Sequence, residues 1–195
     1  MFKQHREHMR APTKPAADEA FTDKHGRLIE VSDDEAAEVK QLGYRKLIGC
    51  LLWPARNCYP AISYAVTELS RCVERPGLKA WQSALHTLHF LYTIRHDGIG
   101  YNSDEPEEIV CYYDSGHMQD RHDYRSQYGY VITMFGGPIL WQSKKHQHVG
   151  ESAAEDEYMA LNHAHKQVLW LRNLVREARS PLKPVETASG YRETA

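Results

Sequence analysis

Two carboxylates stand where chemistry is conceivable. Asp114 directly follows Ile109-Val110-Cys111-Tyr112-Tyr113, a run that reads as a buried strand. A carboxylate at the end of an apolar strand costs free energy unless something pairs with it. Glu157 lies four residues before Leu161 on a predicted helix, so both fall on one side of it. If that side packs on the sheet, Asp114 and Glu157 meet at one edge. Two carboxylates suit a divalent cation. Mg²⁺ takes oxygen ligands and commonly uses one or two protein carboxylates, with substrate phosphates supplying the rest. A pair of such metals can clamp the attacking and leaving oxygens of phosphodiester hydrolysis. Plainer roles compete. An aspartate after a strand often closes a turn, and a glutamate in a first helical turn serves the cap or the dipole. Glu155 suits that capping role better than Glu157. Glu151 and Asp156 are expected to face solvent and complement the helix N-terminus.

Other polar groups offer less. His146 and His148 would share a strand face at their spacing of two; exposed loop histidines are the plainer reading of a metal-binding pair. Arg121, Arg125, Lys144 and Lys145, with the two histidines, fall in or beside loops around the sheet. Such a basic group can neutralise phosphates in a salt-sensitive way, although Asp120 and Asp123 dilute it. Cys50, Cys58, Cys72 and Cys111 form no Cys-x-x-Cys pair. Neither a disulfide framework nor a zinc ribbon follows from them.

The elements that must position these groups are legible as periods. Residues 1–42 are polar, with Pro12, Pro15 and the acidic Asp33-Asp34-Glu35, and read as disordered or as a linker. "YRKLIGCLLW" predicts a short helix ending before Pro54. Pro60 suits the first turn of another. Its apolar face is Ile62, Ala65, Val66, Leu69, Cys72 and Val73. Leu78, Trp81, Leu85, Leu88 and Tyr92 predict the buried side of a third helix. Residues 43–100 thus form a small helical unit. Then the period changes. "IVCYYD", "YGYVITMF" and "PILWQSK" read as three consecutive strands, an antiparallel meander. A long helix follows, capped by Ser152 with Glu155 three residues on, and reaching about Arg179 before Pro181. Leu161, Ala164, Val168, Leu171 and Val175 are its expected inner face. Residues 180–195 read as a frayed, disordered tail.

The chain has 195 residues, 42% hydrophobic and 26% charged, with a formal net charge of −2. That balance is ordinary for a globular protein. It excludes nucleic-acid or membrane binding by bulk charge, so any nucleic-acid site must be a local patch. No apolar run reaches the roughly 18 residues a membrane span needs, and the start carries no apolar signal segment. The expected setting is intracellular, cytoplasmic or nuclear, not secreted.

Longer stretches resemble a known family. "YRKLIGCLLWPARNCYPAISYAVTELSRCVERPGLKAWQSALHTLHFLY" is similar to the segment after the polymerase fingers and palm in copia-type retrotransposon polyproteins. "YYDSGHMQDRHDYRSQYGYVITMFGGPILWQSKKHQHVGESAAEDEYMAL" resembles the ribonuclease H domain of that family, and "WLRNLV" continues the likeness. The resemblance covers residues 43–178. It implies an α/β (α+β), ribonuclease H-like fold: a three-stranded antiparallel meander plus a long helix, preceded by a helical connection segment. It implies Mg²⁺ (or Mn²⁺) as cofactor, with Asp114 and Glu157 as catalytic ligands. The implied partners are an RNA/DNA hybrid and the rest of a retrotransposon polyprotein. Two departures matter. Gly116 stands where the family has a second aspartate, followed by His117. No aspartate follows Asp156, so the family's later acids lack counterparts, and Glu186 beside Pro184 sits in no apolar strand. The expectation is therefore a C-terminally incomplete domain whose metals are weakly held and whose hydrolysis is impaired. The alternative is a non-catalytic nucleic-acid-binding or scaffold remnant.

Overall fold

The computed structural model describes residues 29–105, 107–116, 125–147 and 149–179. The first helix, α1 (Asp33–Gln41), lies inside the range expected to be linker. Its local chemistry explains the difference. The Ser32 hydroxyl accepts from the Glu35 N–H at 3.1 Å, and Asp33, Asp34 and Glu35 place negative charge at the positive end of the helix. Only Ala36 and Val39 are buried, so composition reads the segment as polar while the cap makes it helical. Glu35 also accepts from the Leu78 N–H at 2.7 Å, which ties α1 to a later helix.

Gly43, at φ +88°, turns the chain in the left-handed region that glycine tolerates best. Helix α2 (Tyr44–Asn57) then runs through Pro54 rather than stopping before it. The proline falls near the end of the helix, so it forgoes one i→i−4 bond and only a short stretch of helix follows it. Buried Ala55 and the Asn57 amide, which donates to the Trp53 carbonyl at 2.8 Å, hold that turn. A 3₁₀ turn (Pro60–Ile62) leads into α3 (Ser63–Ser70), which ends before Cys72 and Val73. Both of those residues still pack on the core from the following turn. Helix α4 (Leu78–Thr93) buries Ala80, Ala84, Thr87 and Phe90. Leu78, Leu88 and Tyr92, expected inside, are largely exposed. Small residues let α4 approach its neighbours closely, and that close packing overrides the larger apolar stripe. Tyr44 spans the unit: its buried hydroxyl donates to the Leu69 carbonyl at 2.8 Å.

The meander is present, with the first and third strands slightly longer than predicted and the second shifted by one residue: β1 (Val110–Gly116), β2 (Gln127–Met134) and β3 (Gly137–Lys145), in the order β1-β2-β3. Both pairings are antiparallel, and β2 with β3 carries a bulge at Ile132/Thr133. The β1 outer edge has no strand beside it among the described residues. Strand β2 alternates strictly, with Tyr128, Tyr130, Ile132 and Met134 buried. The first three of these pack against Ala160, Ala164 and Leu171 of the long helix α5 (Ala153–Arg179). Arg179 pairs with Glu107 just before β1, while Asp156 bonds to Ser126 just before β2. Helix α5 therefore runs antiparallel to β1, with its first turn at the end of β1 that carries Asp114. Two hydrogen bonds tie the helical unit to β3. The Trp141 indole donates to the Ala55 carbonyl at 2.8 Å, and the Thr67 hydroxyl donates to the Ser143 carbonyl at 3.2 Å.

No described helix is long and apolar enough to cross a membrane. The expected tail at 180–195, with Glu186, lies outside the described residues.

Candidate functional site

Asp114 lies on the edge strand directly opposite Gly129. It is exposed, and its carboxylate accepts from the Ser115 N–H at 2.9 Å. Directly opposed residues of an antiparallel pair share a face. Cys111, Tyr113 and Ser115 oppose Ile132, Tyr130 and Tyr128, and so lie on the face that α5 covers. Asp114 alternates with them and points to the other face, the one bearing Val131 and Trp141. Its path to α5 leads around the open edge of β1.

Glu157 occupies the first turns of α5 at that same end of the sheet, and it is exposed. The expectation that it points inward with Leu161 is corrected, since Leu161 is itself exposed. The inner stripe starts one residue earlier than expected, at Asp156 and Ala160, and then continues through the expected Ala164 and Leu171. Asp156, expected in solvent, is fully buried at 0% exposure. The Ser126 hydroxyl donates to it at 2.5 Å. The physical reason is the spacing: two alanines follow Asp156 at intervals of four, marking the side that approaches the sheet most closely.

The cap reads as expected, with one difference. The Glu155 N–H donates to the Ser152 hydroxyl at 3.2 Å, but the Glu155 carboxylate accepts from the Glu151 N–H at 2.8 Å rather than from Ser152.

Buried beside Asp156 is His146, expected in an exposed loop but 2% exposed. Neither ring nitrogen has a hydrogen-bond partner among the described residues. Its ring lies 4.6 Å from that of Tyr128, which stacks on His163, also at 4.6 Å. Burial pushes the His146 pKa down, the Asp156 charge opposes this, and His163 adds to the depression. His163 is likewise pushed down by burial, then by Lys166 and Lys144. This cluster is what residue-by-residue reading misses. Its members come from the start of β2 (Ser126, Tyr128), the end of β3 (His146) and α5 (Asp156, His163). The one legible signal was the acid in the alanine-bearing stripe.

Of the expected nucleic-acid contacts, Arg125 and Lys144 are exposed and Lys145 is half-buried. Lys144 opposes Tyr128, whereas Lys145 opposes Gln127, so the two lysines point to opposite faces. Arg121 and His148 lie outside the described residues. Among the described residues, no group of three or more His, Cys, Asp or Glu side chains is arranged to hold a metal ion.

A mixed α/β chain of this kind matches the Pol polyproteins of retrovirus-related transposons. It is 29% identical over 151 residues to the retrovirus-related Pol polyprotein from transposon TNT 1-94 of Nicotiana tabacum, covering 77% of this chain and 11% of that protein. It is 31% identical over 134 residues to the one from transposon RE1 of Arabidopsis thaliana, covering 69% of this chain and 9% of that protein. The chain thus spans about a tenth of the length of these polyproteins and corresponds to a retrotransposon Pol region. It is also 30% identical over 133 residues to Secreted RxLR effector protein 161 of Plasmopara viticola, covering 68% of this chain and 94% of that protein. The chain belongs to one family with that protein. No family model matches the chain, and no solved structure does.

Proposed function

We propose that this chain is a transposon-derived fragment of copia type, comprising the end of a reverse transcriptase region and a partial ribonuclease H-like domain. Its ancestral activity is the Mg²⁺-dependent hydrolysis of RNA in an RNA/DNA hybrid. Asp114 and Glu157 are the retained ligand positions. The observation that carries this reading is the antiparallel docking of α5 on β1, which brings both exposed carboxylates to one end of the sheet. Glu157 stands on α5 and Asp114 on the face turned away from it, so the two carboxylates would share one loosely held Mg²⁺ or Mn²⁺ ion only around the open edge of β1. They do not fit a two-metal clamp, because no third ligand joins them among the described residues. When bound, the cation supplies Lewis acidity toward a phosphate. The chain's own contribution is to hold the two carboxylates and, through Arg125, Lys144 and Lys145, to attract a phosphate backbone. A hybrid would be recognised by backbone shape and the 2′-hydroxyl, with no base-reading motif needed.

Loosened alignment costs much of the rate, so the chain is expected to bind a hybrid and cleave it weakly or not at all. That no third ligand joins the pair among the described residues favours the non-catalytic remnant over a working nuclease. A labelled RNA/DNA hybrid incubated with Mg²⁺ or Mn²⁺ tests this. Hybrid binding with little or no cleavage, any cleavage being abolished by Asp114→Asn, is the expected result. Neither binding nor cleavage rejects the reading. Vigorous cleavage rejects the impairment.

A further inference from the structure

We propose that Asp156 is a positioning residue: its buried hydrogen bond from Ser126 fixes the first turn of α5 and so aims the adjacent Glu157 carboxylate toward the end of β1. This rests on the reading of Glu157 as a cation ligand.

The bond joins two side chains at 0% exposure, one before β2 and one in the first turn of α5. Around it the backbone is cross-braced. The His146 N–H donates to the Ser126 carbonyl at 2.8 Å, so the end of β3 is tied to the same residue. The Asp156 N–H donates to the Ser152 carbonyl at 3.2 Å. Gly150 is packed so tightly that an added Cβ would overlap the Asp156 carboxylate. His146 fills the remaining side, with its ring against Tyr128.

An acid in an alanine-bearing stripe is not what stability alone would select. A buried charged group is weak evidence for stability, because an apolar residue of similar volume often does as well or better. What the hydroxyl–carboxylate bond adds is direction. It sets both the rotation of α5 about its axis and its position along β1. Glu157 is the next residue in the chain, so its Cα–Cβ direction follows from that rotation. Held in this way, Glu157 stands at the end of β1 that carries Asp114. A helix free to turn or slide would carry it away.

The test follows Mn²⁺ binding by electron paramagnetic resonance in the full chain, with melting temperature and α5 amide exchange measured in parallel. Ser126→Ala and Asp156→Ala are each expected to weaken Mn²⁺ binding about 10-fold or more, the range typical when the support of a metal ligand is removed. Asp156→Asn keeps a carbonyl oxygen for the Ser126 hydroxyl and is expected to restore most of the affinity. If Asp156→Ala does not fold, Ser126→Ala carries the test alone. Should Ser126→Ala lower the melting temperature and leave Mn²⁺ affinity at the wild-type value, the bond is merely structural and the proposal is overturned. If Glu157→Gln itself leaves Mn²⁺ binding unchanged, it is the ligand reading that fails, and the positioning role falls with it.

Discussion

Asp156 and Glu157 are neighbours in sequence with opposite surroundings, one sealed under α5 and the other in solvent. One residue of helical rotation, about 100°, separates the two fates. The period and the cap of α5 are legible in the sequence, and its expected inner face stands at Ala164, Val168, Leu171 and Val175; only Leu161 departs, with Ala160 taking the inner position. Large apolar residues mark a broad face, whereas alanines mark the line of closest approach. The same effect displaces the inner face of α4 from Leu88 and Tyr92 to Ala84 and Thr87. Two predictions belong at this scale. Tyr44→Phe removes the buried hydrogen bond to the Leu69 carbonyl, which keeps the Cys72 N–H as a donor at 3.1 Å. It is expected to cost about 1 kcal/mol, measured by urea denaturation. Among the thiols, Cys72 is held in its protonated form, its pKa pushed up to about 11 chiefly by burial, whereas Cys50 is exposed. Maleimide labelling at pH 7.5 is expected to modify Cys50 first and Cys72 only on unfolding, because the thiolate is the nucleophile.

At the scale of elements, the end of the sheet beneath the α5 N-terminus is set to respond to acid. His146 and His163 both have folded-state pKa values below the ordinary 6.5. Below that pH the unfolded chain binds more protons than the folded one, so stability must fall with pH. Their contribution is complete above about pH 6.5 and is lost as pH drops through it. The groups facing them set the size of the effect: the Asp156 charge moderates it at His146, while Lys144 and Lys166 sharpen it at His163. Thermal melts at pH 7.5 and pH 5.5 are expected to show lower stability in acid, and His146→Phe is expected to reduce that difference. A melting temperature independent of pH over this interval would contradict the burial described for His146. Elements themselves were well legible here. The period-2 alternation of "YGYVITMF" and the Ser152 cap both stand in the structure. Helix α1 was not, because two buried residues and a polar composition hide a helix that its cap makes.

For the whole molecule, the helical unit and the sheet are joined at a seam that two hydrogen bonds cross. The Trp141 indole reaches the Ala55 carbonyl, and Thr67 reaches the Ser143 carbonyl. Trp141→Phe keeps the apolar body and removes the donor. It is expected to cost about 0.5–1.5 kcal/mol and to raise amide exchange along β3, measured by hydrogen–deuterium exchange. No periodicity in the sequence announces this seam, because it joins residues 86 positions apart. Patterning alone suggests that Asp114 and Glu157 meet at one edge of the sheet; the resemblance of the long motifs is what gives the pair a role. The central claim is that these two carboxylates share one loosely held cation around the open edge of β1. Mn²⁺ titration of the wild-type chain beside Asp114→Asn and Glu157→Gln tests it most directly. The account predicts one weak site in the wild type that both substitutions abolish. A site that survives either substitution would contradict it.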